Sequence, residues 1–257
     1  RVLTVMATCA RGCCIGFYPD CWHTAGMLEP ALPEIRAAVA RMLPAGVVAS
    51  AGAIGDAVVP LGAAEAPSTA RMSPRRLQEF SAGRAHARAA LRQLGLREPA
   101  VAVGSDRSPQ WPAGFVGSIS HAVDLALAVA APSSTLRAIG VDLEPAVPLD
   151  QELVRRVCRP EELRLLGTSA ASLKRAKLIF SAKESVYKCL APLTGTFLEF
   201  EDVEILFHAS KRRFRARGHG PAAALLDPSS LAGAFAEAGG YWITVAWQLP
   251  PAADGQE

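Results

Sequence analysis

The sequence has little of what would indicate a specialised class of protein. Its 257 residues carry a formal net charge of only +3, and 20% of them are charged. This balance gives no basis for nucleic-acid or membrane binding through bulk electrostatics. Glycines, Asp56 and Pro60 interrupt the longest apolar stretch, residues 45–64, so we expect no transmembrane helix. The amino terminus lacks the pattern of a signal peptide, and we therefore expect a cytoplasmic protein.

Cysteine is also scarce and is poorly placed for a disulfide framework. Four of the six cysteines lie in the first 21 residues, whereas Cys158 and Cys189 stand alone in predicted helices. We therefore expect reduced thiols. An amino-terminal zinc site is the alternative, although the spacing matches no paired C-x-x-C pattern. Its ligands would come from Cys9, Cys13, Cys14, Cys21 and His23.

Apolar residues are abundant enough for a large core, since 50% of the chain is hydrophobic. Residues 1–26 differ in texture from the rest and are interpreted as an extension of unknown role. The first strong helix is predicted at residues 74–94, with Ser73 as its cap and Gly95 closing it. Arg84 falls on the apolar stripe of this helix, and Arg88 lies one turn further on.

Strands and helices then follow in short segments. A Pro160-interrupted helix pair is predicted at residues 151–166, and a longer helix at residues 172–190, stopped by Pro192. A low-complexity loop of Ala, Gly, Pro and Ser separates the last two strands. The predicted strands cover residues 115–120, 125–131, 136–144, 201–207, 212–216 and 241–247.

The most informative segment is IGVDLE at residues 139–144. In a strand, its apolar residues point into the core, while Asp142 and Glu144 project together from the other face. Two adjacent carboxylates are hard oxygen ligands of the kind that Mg²⁺ prefers. The alternative is an ordinary strand end with solvated acids.

Two further segments carry groups suited to phosphate chemistry. FSAKESVYK at residues 180–188 places Glu184 and Lys188 one helical turn apart, although such a pair is also common on protein surfaces. GSISHA at residues 117–122 places His121 at a strand end, where it could donate to a phosphate oxygen or simply pack. This segment fails as a G-x-S-x-G nucleophile elbow.

Together and in this order, the three segments resemble the phosphopantetheinyl transferases of the enterobactin- and surfactin-synthetase type. The hallmarks of that family are G-S-[IL]-[ST]-H, G-[VI]-D-x-E and W-[ST]-x-K-E-x-x-x-K. FSAGR at residues 80–84 and RSPQWPAG at residues 107–114 are also similar to family segments. The resemblance spans about residues 71–190. Phe180 replaces the usual tryptophan, and Leu143 stands where some members carry a third carboxylate.

The resemblance implies an α+β fold of two similar α/β halves, related by a pseudo-twofold axis with the active site between them. The halves would comprise residues 27–134 and 135–257, in a monomer. It implies Mg²⁺-dependent transfer of 4′-phosphopantetheine from coenzyme A to a serine of an apo acyl, peptidyl or polyketide carrier protein. Mn²⁺ could replace Mg²⁺. Adenosine 3′,5′-bisphosphate would be released.

The resemblance also implies roles for individual residues. Metal ligands would be Asp142, Glu144 and Glu184, with Glu184 alternatively acting as general base. Catalytic roles fall to Glu184, Lys188 and His121. The groups that bind coenzyme A would be Arg84, Arg88, Arg107, Ser120, His121, Lys183 and Lys188.

The acceptor carrier protein would be acidic and helical. A candidate docking surface is the helix pair at residues 151–166, although a solvated basic helix explains it equally well. Its basic residues are Arg155, Arg156, Arg159 and Arg164. Two other functions remain open: a metal-dependent phosphoesterase or nucleotide hydrolase, and a non-catalytic coenzyme A-binding relative.

Overall fold

A computed structural model describes residues 25–226, 229 and 231–251 of the chain. The predicted amino-terminal extension and its cysteine cluster with His23 lie outside these residues, except for the last two positions of the extension. The described chain is a mixture of helices and antiparallel sheets, which confirms the α+β prediction. The pseudo-twofold relation and the boundary between halves stay predictions.

Five α-helices and ten strands make up the described chain. The helices are α1 (Ala25–Met42), α2 (Pro74–Gln93), α3 (Gln151–Val157), α4 (Pro160–Leu165) and α5 (Ala170–Thr194). The first strands are β1 (Val48–Ala53), β2 (Ala102–Val103), β3 (Pro109–Gln110), β4 (Phe115–Ala122), β5 (Leu125–Pro132) and β6 (Ala138–Pro145). The remaining strands are β7 (Val203–His208), β8 (Arg213–Gly218), β9 (Leu231–Ala238) and β10 (Tyr241–Gln248).

The strands form two main sheets that meet at β4 and β6. The first has the order β1-β5-β4, and the second has the order β6-β10-β9-β8-β7. At the junction, the Ser118 hydroxyl oxygen accepts a hydrogen bond of 3.1 Å from the backbone N–H of Val141. Helix α2 packs on the first sheet, α5 packs on β6 and β10, and α1 contacts strands of both sheets. The residues at the sheet junction are therefore held from several sides.

Helix α2 begins and ends as its sequence predicts. The Ser73 hydroxyl accepts a hydrogen bond from the backbone N–H of Arg76, and Gly95 adopts a left-handed conformation with φ of 92°. Phe80, Arg84 and Leu91 are buried on one face. The guanidinium group of Arg84 thus lies on the protein-facing side of the helix.

Helix α5 is longer than predicted at both ends. It begins at Ala170 and continues through Pro192 to Thr194. A proline in the last turn removes only one hydrogen bond, so it does not stop the helix there. The helix ends instead at Gly195, which has φ of 60° and is a typical left-handed cap.

The low-complexity loop prediction was wrong for residues 231–238, which form β9 between β8 and β10. The segment LAGAFAEA lacks the branched side chains that signal a strand, because small residues are required there. A Cβ atom on Gly233 would lie 2.3 Å from the Phe214 ring. The neighbouring Ala234 and Ala236 join the core that α1 covers.

Strand β6 alternates as predicted, but its polar face is buried rather than solvated. Val141 and Leu143 lie in the core, and Asp142 and Glu144 lie beneath α5. The helix comes unusually close to the strand at Gly140, where a Cβ atom would lie 2.0 Å from the Ser185 carbonyl oxygen. Glycine at this position therefore permits the close packing of α5 on the two acids.

The sequence predicted no transmembrane helix and reduced thiols. In the described part of the chain, no helix combines the length and the apolar character needed to cross a bilayer. Cys158 and Cys189 are both buried and free. The other four cysteines lie outside the described residues.

A buried ion pair ties α5 to the neighbouring helices. The Lys183 ammonium lies 2.7 Å from the Glu162 carboxylate of α4 and donates to the carbonyl oxygens of Val157 and Phe200. The other oxygen of Glu162 accepts from the backbone N–H of Ile205. Because both charged groups are buried, each depends on the other for compensation.

We expect Lys183→Met to lower the free energy of unfolding by about 3–5 kcal/mol, because it leaves the Glu162 charge buried without its cation. Urea denaturation measures this change. Lys174→Met is the matched control, since Lys174 lies on the same helix in a partly exposed pair with Glu237 and should cost about 1 kcal/mol or less. A double variant, Lys183→Met with Glu162→Met, should recover part of the loss. If Lys183→Met and Lys174→Met lowered the free energy of unfolding equally, the buried Lys183–Glu162 pair would have no special role.

Candidate active site

A cavity of about 900 Å³ opens between helix α2 and strand β4 on one side and the carboxy-terminal part of α5 on the other. Its walls come from α2, from the turn before β3, from β4 and from the carboxy-terminal end of α5. This volume lies near the upper end of the range for ligand pockets. Basic side chains from both halves of the chain contribute to its walls, namely Arg71, Arg76, Arg84, Arg107, His121 and Lys188.

One wall is a stripe of α2 residues spaced four apart. Arg76, Phe80 and Arg84 all line the cavity. The Arg84 guanidinium lies 4.5 Å from the centre of the Phe80 ring. Its Nη2 donates to the Ala102 carbonyl at 3.4 Å, and its buried Nε has no hydrogen-bond partner among the described residues. Burial lowers the pKa of Arg84 to about 10, so it stays protonated at neutral pH.

His121 is held by Arg76, a residue that the sequence analysis missed. Nη1 of Arg76 lies 2.8 Å from Nε2 of His121. Arginine can only donate, so Nε2 accepts and the proton of the neutral ring lies on Nδ1. Burial lowers the pKa of His121 to about 3, and the charges of Arg76 and Lys188 act in the same direction. His121 is therefore a neutral hydrogen-bond donor at neutral pH.

Extending the stripe of α2 from Arg84 by two turns toward the amino terminus identifies Arg76. It precedes Arg84 by eight residues, which places the two on one helix face. The family segment begins at Phe80, so it includes Arg84 but not Arg76.

The floor of the cavity adjoins a buried cluster of acids and lysines. Lys188 Nζ lies 2.6 Å from Asp142 Oδ1 and 3.2 Å from the Ser120 hydroxyl, which itself donates to Asp142 at 3.1 Å. Glu144 pairs with Lys177 at 3.1 Å. Burial raises the pKa of Glu144 and the nearby Asp142 charge adds to this, although the Lys177 charge opposes both.

Glu184 belongs to the same region of α5, one turn before Lys188, and is also buried. The end of β4, strand β6 and helix α5 thus bring Ser120, Asp142, Glu144 and Lys188 together, and Ser120 and Lys188 line the cavity. Asp142 Oδ2 has no hydrogen-bond partner among the described residues.

Two predicted ligand-binding residues lie elsewhere. Lys183 points away from the cavity into its buried pair with Glu162. Arg88 pairs with the fully buried Glu65 and donates to the Pro60 carbonyl. Neither is among the described residues that line the cavity, because helical spacing alone does not show which neighbours a long side chain reaches; a role for them in binding coenzyme A stays a prediction. Arg107 does line the cavity, from a turn in which its own φ is 70°.

Aromatic side chains complete the walls. The Trp111 ring packs so closely on Gly117 that a Cβ atom there would lie 2.5 Å from it. Gly117 therefore makes room for this ring. On the opposite side, Tyr187 and Phe197 form an edge-on pair with ring centres 5.8 Å apart.

Models of known protein families match most of the chain around the cavity. The 4′-phosphopantetheinyl transferase N-terminal domain matches residues 64–131. The 4′-phosphopantetheinyl transferase superfamily matches residues 138–246. The two matches therefore include α2, β4 and α5, which line the cavity, and β6, which carries the neighbouring acids.

Curated relatives give the same result. The 4′-phosphopantetheinyl transferase Svp of Streptomyces mobaraensis is 37% identical over 185 residues, which is 70% of this chain and 75% of the relative. The 4′-phosphopantetheinyl transferase PptT of Mycobacterium tuberculosis is 35% identical over 170 residues, 66% of this chain and 74% of the relative. Enterobactin synthase component D of Escherichia coli K12 is 34% identical over 149 residues, 54% of this chain and 70% of the relative.

The family matches and the curated relatives agree with the motifs in the sequence. The chain belongs to the 4′-phosphopantetheinyl transferase family and is an enzyme of that family.

Proposed function

We propose that this enzyme transfers 4′-phosphopantetheine from coenzyme A to a serine of an apo carrier protein, with Mg²⁺ required and adenosine 3′,5′-bisphosphate released. The observation that carries the proposal is the convergence of cationic side chains from both halves on one cavity beside buried carboxylates. A ligand with a pyrophosphate and a separate phosphate group matches such a cavity in charge and size.

The cationic groups are suited to different parts of coenzyme A. Arg84 and Arg107 present guanidinium groups, which match phosphate oxygens bidentately. The unsatisfied Nε of Arg84 supports a role in binding the 3′-phosphate. His121 can donate from Nδ1, and Lys188 lies between Ser120 and Asp142, where it could turn toward the pyrophosphate.

The carboxylates fit a magnesium ion in their chemistry. Asp142 and Glu144 leave one face of β6, and the unpartnered Oδ2 of Asp142 is an available hard ligand. Within the described residues, no group of three or more His, Cys, Asp or Glu side chains is already arranged around a metal position. Asp142 and Glu144, with Glu184 from α5, would hold the ion only together with oxygens of the pyrophosphate. When bound, Mg²⁺ would offset charge on the leaving group and orient the pyrophosphate.

The reaction requires the carrier serine to lose a proton as its oxygen attacks the β-phosphorus. The bond to the adenosine bisphosphate oxygen breaks in the same displacement. Glu184 is the candidate base, a role worth about 10²–10⁴ in rate, and the alternative is that it only binds the metal. Ser120 and Arg76 would hold Lys188 and His121 in place during this step.

The carrier protein must approach the open side of the cavity. The predicted docking surface on α3 and α4 has fewer available positive charges than its sequence suggests. Arg156 pairs with Glu152, and both Arg159 and Arg164 pair with Glu161. Arg71, which is exposed and lines the cavity, is better placed to meet an acidic acceptor.

Intact mass spectrometry of apo carrier proteins tests the reaction. With this enzyme, coenzyme A and Mg²⁺, we expect a mass gain of one phosphopantetheine on at least one acyl, peptidyl or polyketide carrier protein, and none with EDTA. Asp142→Asn should lower the rate by at least about 10²-fold, because it removes a ligand of the metal that neutralises the leaving group. A carrier that gains mass equally well in EDTA would refute the metal requirement. Cleavage of coenzyme A without carrier labelling would refute the transfer.

Arg84→Gln should weaken binding of coenzyme A by about 10–100-fold, because a charge-assisted contact to phosphate is lost. Binding of 3′-dephospho-coenzyme A should change much less. Isothermal titration calorimetry measures both affinities. Arg92→Gln is the control, since Arg92 is exposed on the same helix. Equal losses for the two ligands would remove Arg84 from the 3′-phosphate site.

A further inference from the structure

The two lysines that pair with the β6 acids are placed very differently. Lys188 lines the cavity, and its side chain is 25% exposed. Lys177 lies three turns earlier on α5, its side chain is only 10% exposed, and it is not among the described residues that line the cavity. Lys188 can therefore turn toward a ligand, whereas Lys177 is enclosed.

The enclosure of Lys177 has two identifiable sides. Its Nζ lies 3.1 Å from Glu144 Oε2 and 5.6 Å from the centre of the Phe180 ring. Phe180 itself packs against Phe200, with ring centres 5.6 Å apart. Moving the ammonium group away would break an ion pair and a cation–π contact in a buried region.

The charges of this cluster are nearly balanced before any ligand arrives. Asp142, Glu144 and Glu184 are each at most 7% exposed, and Lys177 and Lys188 provide two positive charges against them. A divalent cation on Asp142 and Glu144 would add two positive charges next to Lys177. At an effective dielectric constant of about 20, the repulsion between such charges roughly 5 Å apart amounts to several kcal/mol. Lys188 can lower its repulsion with the cation by moving into the cavity.

We propose that Lys177 is a positioning residue that acts as a fixed counter-charge: it holds Glu144 in place and lowers the affinity of the free enzyme for divalent cations. The metal then binds tightly only with an anionic ligand, whose pyrophosphate offsets the Lys177 charge. This inference rests on the proposed function, because it takes Glu144 to be a metal ligand. It adds a residue outside the recognised motif that couples metal binding to the binding of coenzyme A.

The test is a titration of the folded enzyme with Mn²⁺ in the absence of coenzyme A, with free Mn²⁺ measured by electron paramagnetic resonance. We expect Lys177→Met and Lys177→Gln to bind Mn²⁺ at least about tenfold more tightly than the unaltered chain, because a nearby positive charge is removed. Two variants guard against one that fails to fold. Lys177→Arg keeps the charge, and Lys174→Met removes one from the partly exposed pair with Glu237, so both should leave the affinity unchanged.

Asp142→Asn separates this inference from the proposed function. If Asp142→Asn leaves Mn²⁺ binding unchanged, the metal assignment itself is wrong. If Asp142→Asn weakens binding while the neutral Lys177 variants bind Mn²⁺ no more tightly than the unaltered chain, the role of Lys177 is overturned. With saturating coenzyme A, the difference between Lys177→Met and the unaltered chain should shrink. A difference that stays constant would refute the coupling to the anionic ligand.

Discussion

The burial of two strand carboxylates beneath a helix is the constraint on which the site depends. Asp142 and Glu144 cannot remain ionised under α5 unless cations and hydrogen bonds compensate them. Lys188 and Lys177 provide the cations, and Ser120 provides a hydroxyl donor from the other sheet. This arrangement is possible only because Gly140 lets α5 lie almost directly on β6. A single close contact thus determines how far the charged groups stand from each other and from the cavity.

Hydrogen bonds between the two sheets connect the residues of the first sheet to the acids of the second. Strands β4 and β6 belong to different sheets, and the side chains of Ser118 and Ser120 connect them at Val141 and Asp142. The position of His121, at the end of β4, is therefore fixed relative to the acids of β6. Helix α1 packs against strands of both sheets, which further limits their relative movement. Ser118 and Ser120 both line the cavity, so these contacts connect its β4 wall to the acids of β6.

The sequence predicted those parts of the structure that follow from local rules. Ser73 and Gly95 marked the ends of α2, and the alternation at residues 139–144 gave the two faces of β6. Strand β9 was missed because its small residues are chosen by their neighbours, such as Phe214 against Gly233, and carry no propensity signal of their own. Lys183 and Arg88 were assigned to the site because a motif fixes their position along a helix but not the partner of their long side chains. Their acids, Glu162 and Glu65, lie far away in sequence and become neighbours only through the fold.

The cavity is prepared for an anion before one is present. Arg76 and Lys188 act on a histidine that is already neutral, and the Arg84 guanidinium is buried far enough to lower its pKa. Concentrating like charges in this way costs free energy in the free protein, and the Phe80 ring, Glu79 and Asp142 offset part of it. Negative charge that entered the cavity would relieve the remaining repulsion, and this relief would add to the affinity for the polyanionic ligand proposed above. Such a site would bind phosphate groups strongly, because folding of the protein has already brought the cations together.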